Sequence, residues 1–319
     1  MLPFIVARLV QSIPLIISSS VIIFLIMRFI PGDPALIYAG PLAPPESIEA
    51  IREKFGLQES LPEQYFIWAS KAVQGDFGSS YLSGLPVASL LWDRIPATLE
   101  LAVAAMLITI LVGVTTGALA ATNNGKTIDT VVTSATGLIV AVPGFWLGIL
   151  AIYLFAVSLD WLPPGGRVSP FSDPIEGLKH ILMPALILAS NPTAVVSRLV
   201  KGSMLEVLHE DYVRTAISKG LSSGDVLRRH VLRNAMVPVI TVISLQFGRL
   251  LGGAVITESI FVWPGVGRLL LTALQGRDYA IVQATLLSLV IAFTIINLIT
   301  DILYGYLDPR IRVGRSVGA

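Results

Sequence analysis

The sequence contains no cysteine, which excludes disulfides and thiolate-held metals. Its three histidines, His180, His209 and His230, are too few and too scattered for a zinc site, and the i, i+3 pair Glu206 and His209 reads as a solvated helix face. Charge is scarce as well. Only 13% of the 319 residues are Asp, Glu, Lys or Arg, against about 25% in a soluble domain. No Ser nucleophile elbow, no HExxH helix and no carboxylate pair within an apolar run occurs, so intramembrane hydrolysis has no visible apparatus. The string AATNNGKT, Ala120 to Thr127, satisfies a permissive phosphate-loop pattern but lies between two apolar runs, without the strand and helix that the mechanism needs.

Apolar residues fill the place left by charge: 54% are hydrophobic, and mean hydropathy is +0.77. Six long apolar runs stand out, at Phe4–Ile30, about Ala97–Ala121, Val131–Ser158, His180–Val200, Met236–Phe261 and Ile281–Tyr304. At about 1.5 Å per residue, some 20 residues cross the ~30 Å hydrocarbon layer, and spans this long are helices because a helix satisfies its own backbone. The fold expected is an all-α polytopic membrane protein with six transmembrane helices. The first run is too long, and too poor in a small-residue cleavage site, for a cleavable signal peptide.

Between the first and second runs lies a polar insert, residues 31–96, with a cluster of carboxylates at Asp33, Glu46, Glu49, Glu53, Glu59, Glu63, Asp76 and Asp93. Its pattern predicts short helices over Pro45–Phe55, stopped by Gly56, over Pro62 to about Val73, and near Pro86–Arg94. Lys and Arg are denser on one side: Arg8, Lys126, the seven from Arg198 to Arg233, and Arg310, Arg312 and Arg315 share it if both termini are cytoplasmic. The domains expected are an N-terminal span (1–30), an extracytoplasmic insert (31–96), a five-helix core (97–304) and a cytoplasmic tail (305–319).

Several runs carry helix breakers, Pro14, Pro143-Gly144, Pro184 and Asn191-Pro192, which together favour a cavity-lining pathway. Gly113/Gly117 and Gly248/Gly252 form GxxxG patterns that permit close helix contact. Arg249 falls inside the fifth run, where an arginine faces either a wet cavity or the interface. Candidates for the pathway lining are Asn191, Arg249 and Glu258.

One long charged run interrupts the apolar chain, Glu206 to Pro238. Leu205, Leu208, Tyr212 and Ala216 recur at helical spacing up to Gly220, a residue suited to the left-handed conformation that closes a helix. Ser222 with Asp225 starts a second helix. This helix–turn–helix, studded with Arg214, Lys219, Arg228, Arg229 and Arg233, reads as a docking element for another protein.

Taken together, these strings resemble the B-type membrane subunit of the dipeptide, oligopeptide and nickel family of ATP-binding cassette importers. Arg214-Thr215-Ala216, Gly220 and, nine residues on, His230-Val231-Leu232-Arg233 are similar to that superfamily's EAA loop, with Arg214 in place of Glu and Arg233 in place of Pro. PGDP (Pro31–Pro34), GDFGSSYLSGLPV (Gly75–Val87), RIPATLELA (Arg94–Ala102), TESIFVWPGVGRLL (Thr257–Leu270), RDYAIVQ (Arg277–Gln283) and LDPRIR (Leu307–Arg312) extend the resemblance from end to end.

The resemblance implies a type I importer permease fold in a bacterial inner membrane. It implies a second, C-type permease subunit, two ATPase subunits that hold ATP and Mg, and an extracytoplasmic substrate-binding protein. No cofactor or nucleic acid would be bound by this chain. Contact with the ATPases would fall on Arg214, Thr215, Ala216, Ser218, Lys219, Gly220 and Leu221 of loop 198–235. The cargo implied is di- or oligopeptides; nickel chelates, glutathione or opines are alternatives. A self-sufficient carrier, using Arg249, Glu258 or Glu100 to bind or relay ions, is the reading from a different class, and a purely structural anchor comes last.

Overall fold

The computed structural model describes residues 2–30, 34–40, 43–54 and 56–307. The start of the PGDP string and the tail beyond residue 307 lie outside the described residues. All regular structure among the described residues is helical, apart from an isolated antiparallel bridge between Ser79 and Pro86. In chain order the helices are α1 (Leu2–Phe29), α2 (Pro34–Ala39), α3 (Pro45–Lys54), α4 (Leu61–Val73), α5 (Val87–Thr122), α6 (Thr127–Ala141) and α7 (Gly144–Ala151). A π-helical stretch, Ile152–Ser158, continues α7. Then follow α8 (Pro174–Leu208), α9 (Asp211–Ser218), α10 (Ser223–Asp225), a second π-helical stretch (Val226–Leu232), α11 (Arg233–Ile260), α12 (Val266–Gln275) and α13 (Tyr279–Leu307).

Five stretches are long and apolar enough to cross a membrane: Ile5–Phe29, Val87–Thr122, Pro174–Leu208, Ser223–Ile260 and Tyr279–Ile302. The pair Thr127–Ala141 and Gly144–Ser158 makes up to six if it counts as one span. This pair bends by 101°, at the Pro143-Gly144 breaker that the sequence marks. Proline disfavours the helical conformation in the residue before it, and Val142, ahead of Pro143, is extended at φ −95°, ψ 130°. Pro14, Pro184 and Pro192, by contrast, sit inside continuous helices. Met183 and Pro192 are buried, so packing holds the α8 backbone helical where local preference opposes it.

Two expectations are corrected. The third insert helix, near Pro86–Arg94, is not separate but forms the first turns of α5, which runs through Pro96. Pro96 removes one backbone donor, while Leu91, Ala97 and Leu101 are buried along the same continuous helix. Nor does one helix lead from Leu205 to Gly220. It ends at Leu208, and α9 restarts at Asp211 after Glu210, whose ψ is 144°. The break turns Val213 and Ala216 into the core, and burying an aliphatic side chain is worth about 1.5–3 kcal/mol.

The chain divides into two compact units, one of residues up to Thr98 together with Pro264–Leu298, the other of Leu99–Trp263 with the residues from Ile299 on. In the first, Met27, Val87, Leu91, Leu270, Tyr279 and Val282 share one apolar cluster. Asp278 is fully buried there, and its carboxylate accepts from Ser80 Oγ (2.5 Å) and the Leu82 amide (3.3 Å). This tie fixes the Gly75–Val87 string to the residues just ahead of α13. The α4 helix is held to α1 by Ser20 and Tyr65, whose hydroxyls lie 2.9 Å apart, and by the edge of Tyr65 against Phe24. In the second unit α8 is central, packed against α11, α6 and α7.

Candidate functional site

The charged run folds as a short helix, a tight turn and a second helix, all within the second unit. Asp211 opens α9, where a carboxylate suits the positive end of the helix dipole. Val213 and Ala216, three residues apart, face inward and join Val196, Val200, Met204, Val226, Val231 and Val239 in one cluster. The opposite face presents Arg214, Thr215 and Ser218, together with Ile217, which is 58% exposed.

The turn closes as a Schellman motif. Gly220 N donates to Ile217 O at 2.9 Å and Leu221 N to Ala216 O at 3.4 Å, with Gly220 at φ +81°. Immediately after it, Ser222 caps the next helix: its hydroxyl accepts from Asp225 N at 3.1 Å and donates to the Asp225 carboxylate at 2.7 Å. From the other side, Asn234 Nδ2 donates to the Tyr212 hydroxyl at 3.0 Å, tying α9 to α11.

Of the seven residues expected to meet a partner, Arg214, Thr215, Ser218, Lys219 and Gly220 are exposed and adjacent, and Leu221 is half-buried. Ala216 is instead buried and supports the helix from within. Sequence reasoning missed Ile217. An apolar residue between Ala216 and Ser218 on a helix with a buried face was the available signal, because it falls off the Val213–Ala216 stripe.

A polar brace stands beside this element. Lys201 Nζ pairs with Asp129 Oδ1, and Asp129 also accepts from Gly125 N and Thr133 Oγ1, both at 3.1 Å. The brace locks the start of α6 to α8, the helix that leads into α9. On α5, Gly113 and Gly117 face α8 so closely that a Cβ on Gly117 would come within 2.7 Å of Val200 Cβ. Gly252, in the other GxxxG pattern, has open space around it, whereas its partner Gly248 is buried in α11.

The three candidates for a pathway divide. Asn191 on α8 and Arg249 on α11 are both exposed on the isolated chain. Leu188 approaches Gly253 across the α8–α11 contact, which sets the two at about the same level of that pair. Glu258 is buried to 0% exposure. Glu100 is engaged by Arg167, whose Nε and Nη2 reach the same carboxylate oxygen at 2.9 and 2.6 Å. Beside that pair, the loop after α7 is pinned by Gly166 N to Phe261 O (2.8 Å) and by His180 Nδ1 to Gly165 O (3.0 Å).

Residues 113–313 match the family described as binding-protein-dependent transport system inner membrane component, and residues 1–102 match the N-terminal part of such membrane components. A probable peptide ABC transporter permease of Sinorhizobium fredii is 41% identical, over 97% of this chain and 99% of the relative. A dipeptide transport system permease of Alkalihalophilus pseudofirmus is 37% identical over 98% and 100%, and a glutathione transport system permease of Escherichia coli 40% over 98% and 99%. Among solved structures, the methionine ABC transporter in inward-facing conformations aligns with a TM-score of 0.57 at 15% identity, over 69% of this chain and 96% of that one; this likeness is one of fold.

Proposed function

This chain belongs to the family of binding-protein-dependent transport system inner membrane components, and from that premise we propose that it is the B-type permease subunit of an ATP-driven importer of di- or oligopeptides. It contributes half of a translocation pathway and hydrolyses no ATP itself. A C-type permease supplies the other half, two ATPase subunits carry ATP and Mg, and an extracytoplasmic binding protein delivers cargo. The chain spans the inner membrane six times with both termini cytoplasmic, the bent α6–α7 pair forming the third span. The insert at 31–96 faces outward, the core runs over 97–304, and the tail at 305–319 is cytoplasmic.

The observation that carries this reading is the α9 turn. A short helix anchored by Val213 and Ala216 offers Arg214, Thr215, Ile217, Ser218 and Lys219 outward, and it ends on a glycine whose backbone conformation is fixed. Such an element transmits force, because its buried face moves with the α8–α11 pair while its exposed face sits on a partner. ATP-driven closure of the ATPases draws the two coupling turns of the permease pair together and opens the pathway outward; hydrolysis resets it. Asn191 and Arg249 line the pathway. A glutathione cargo is the second reading, favoured by the Escherichia coli relative.

The test is affinity purification of the chain from its native cells in mild detergent, with mass spectrometry and an ATPase assay on what accompanies it. A second permease, ATPase subunits and hydrolysis stimulated by a co-purified binding protein are expected. A monodisperse chain with no ATPase, active alone in liposomes, would overturn the proposal in favour of an ion-coupled carrier.

A further inference from the structure

The first unit contains a groove of about 400 Å³ between the end of α1, the insert and the start of α13. Arg28, in the last turn of α1, lies at its wall. The guanidinium is half-buried, stacks over the Phe24 ring at 5.2 Å, and has no hydrogen-bond or ion-pair partner among the described residues. A partly desolvated guanidinium without an anion is costly, and it is accordingly a strong anion receptor. Lys71 lines the same groove.

Two amide atoms at the wall, Gln64 Oε1 and Gln283 Nε2, are buried without a hydrogen-bond partner, one an acceptor and the other a donor. Gln64 itself is only 8% exposed. The exposed carboxylates Glu53, Glu59 and Asp76 also line the groove. A bare anion would meet these carboxylates unfavourably. A molecule with an anionic group for Arg28 and an ammonium for the carboxylates fits both sets.

The surroundings indicate where such a molecule comes from. Little of the α1 span is buried, and Ile26 and Phe29 are exposed right up to Arg28. Helix α4, whose Ile67 and Trp68 line the groove, exposes Phe66 and Val73 at 69% and 89%, the pattern of a helix lying in a membrane interface. Apolar surface therefore borders a polar groove at the end of a span, the level of lipid headgroups.

We propose that this groove binds the headgroup of a zwitterionic aminophospholipid, its phosphate on Arg28 and Lys71 and its ammonium towards Glu53, Glu59 and Asp76. The acyl chains lie along α1 and the apolar face of α4. The lipid would fasten the insert to the bilayer surface. This rests on α1 being a membrane span and is independent of what is transported, so its failure and that of the importer reading are separable.

The test is native mass spectrometry of the purified, delipidated protein with its bound subunits, titrated with dioleoyl-phosphatidylethanolamine, -phosphatidylglycerol and -phosphatidylcholine. One tightly held phosphatidylethanolamine per chain is expected, bound in preference to the other two. Arg28→Gln should weaken it about tenfold or more, about 1.4 kcal/mol per factor of ten, with helicity unchanged by circular dichroism. The exposed Lys71→Gln serves as a second probe if Arg28→Gln fails to fold. Glu59→Gln should erode the preference over phosphatidylglycerol. Equal retention by Arg28→Gln, or by Lys71→Gln in its place, overturns the proposal, as does equal binding of phosphatidylglycerol by the wild type. Displacement of the lipid by millimolar diglycine or free phosphoethanolamine would equally overturn it, by assigning the groove to a soluble zwitterion.

Discussion

At Gly220 the backbone is held at φ +81° with no atom within 4 Å of where a Cβ would stand. A side chain there clashes with nothing inside the chain, and its cost is conformational, about 1–2 kcal/mol for a left-handed L-residue. Gly220→Leu should therefore assemble but couple poorly: import falls at least about tenfold while hydrolysis continues. Import at the wild-type rate would sink the assignment of the turn. Asp278 has the opposite character, buried and fully used. Asp278→Ala strands Ser80 Oγ and the Leu82 amide, and bonds to a charged acceptor are worth about 1.5–3 kcal/mol each. A lowered thermal midpoint with new protease cleavage near residues 79–86 is the expected signature. Burial also pushes the Tyr81 phenol up, with the nearby Arg28 charge opposing. Its neutral form is thus favoured by the fold, and the stability it contributes is full below the ordinary tyrosine range near pH ~10 and is lost as pH rises through the raised value. Tyrosinate absorbance during alkaline titration should show one late-ionising group that Tyr81→Phe removes.

At the scale of elements, α8 carries Lys201 of the brace and runs directly to the break before α9. Lys201→Met leaves Asp129 partly buried without its cation, which is far worse than removing both partners. The cycle of Lys201→Met, Asp129→Asn and the double variant should show non-additive losses of thermal stability, the double variant recovering much of the single loss. Additive losses would mean that the pair acts as two solvated charges. The helix–turn–helix around Gly220 was legible in the sequence because each part has a local cause: Gly220 for the left-handed turn, Ser222 and Asp225 for the cap. The break at His209-Glu210 was not. It is decided by the cluster that takes Val213 and Ala216, which involves α8 and α11 residues far away in sequence. Likewise the chain bends by 101° at Pro143-Gly144, while Pro184 and Pro192 sit inside a continuous helix.

For the whole molecule, the absence of cysteine makes sidedness directly measurable. Lys219→Cys should react with an impermeant maleimide only from the cytoplasmic side and Glu59→Cys only from outside. Labelling of both from one side would refute the proposed arrangement of spans.

Hydropathy alone determined that the chain is helical and membrane-embedded, since stretches of 24 or more residues this apolar have no other way to satisfy their backbone. Helical spacing, Gly220 and the Ser222–Asp225 cap marked the helix–turn–helix in advance. Only the tertiary structure decided which side chains are available: Ala216 and Glu258 inward, Ile217 outward, Asp278 locked to Ser80, and Arg28 left facing a groove. The physical reason is that sequence period reports which residues prefer burial, whereas exposure and pairing depend on which distant helix arrives opposite them.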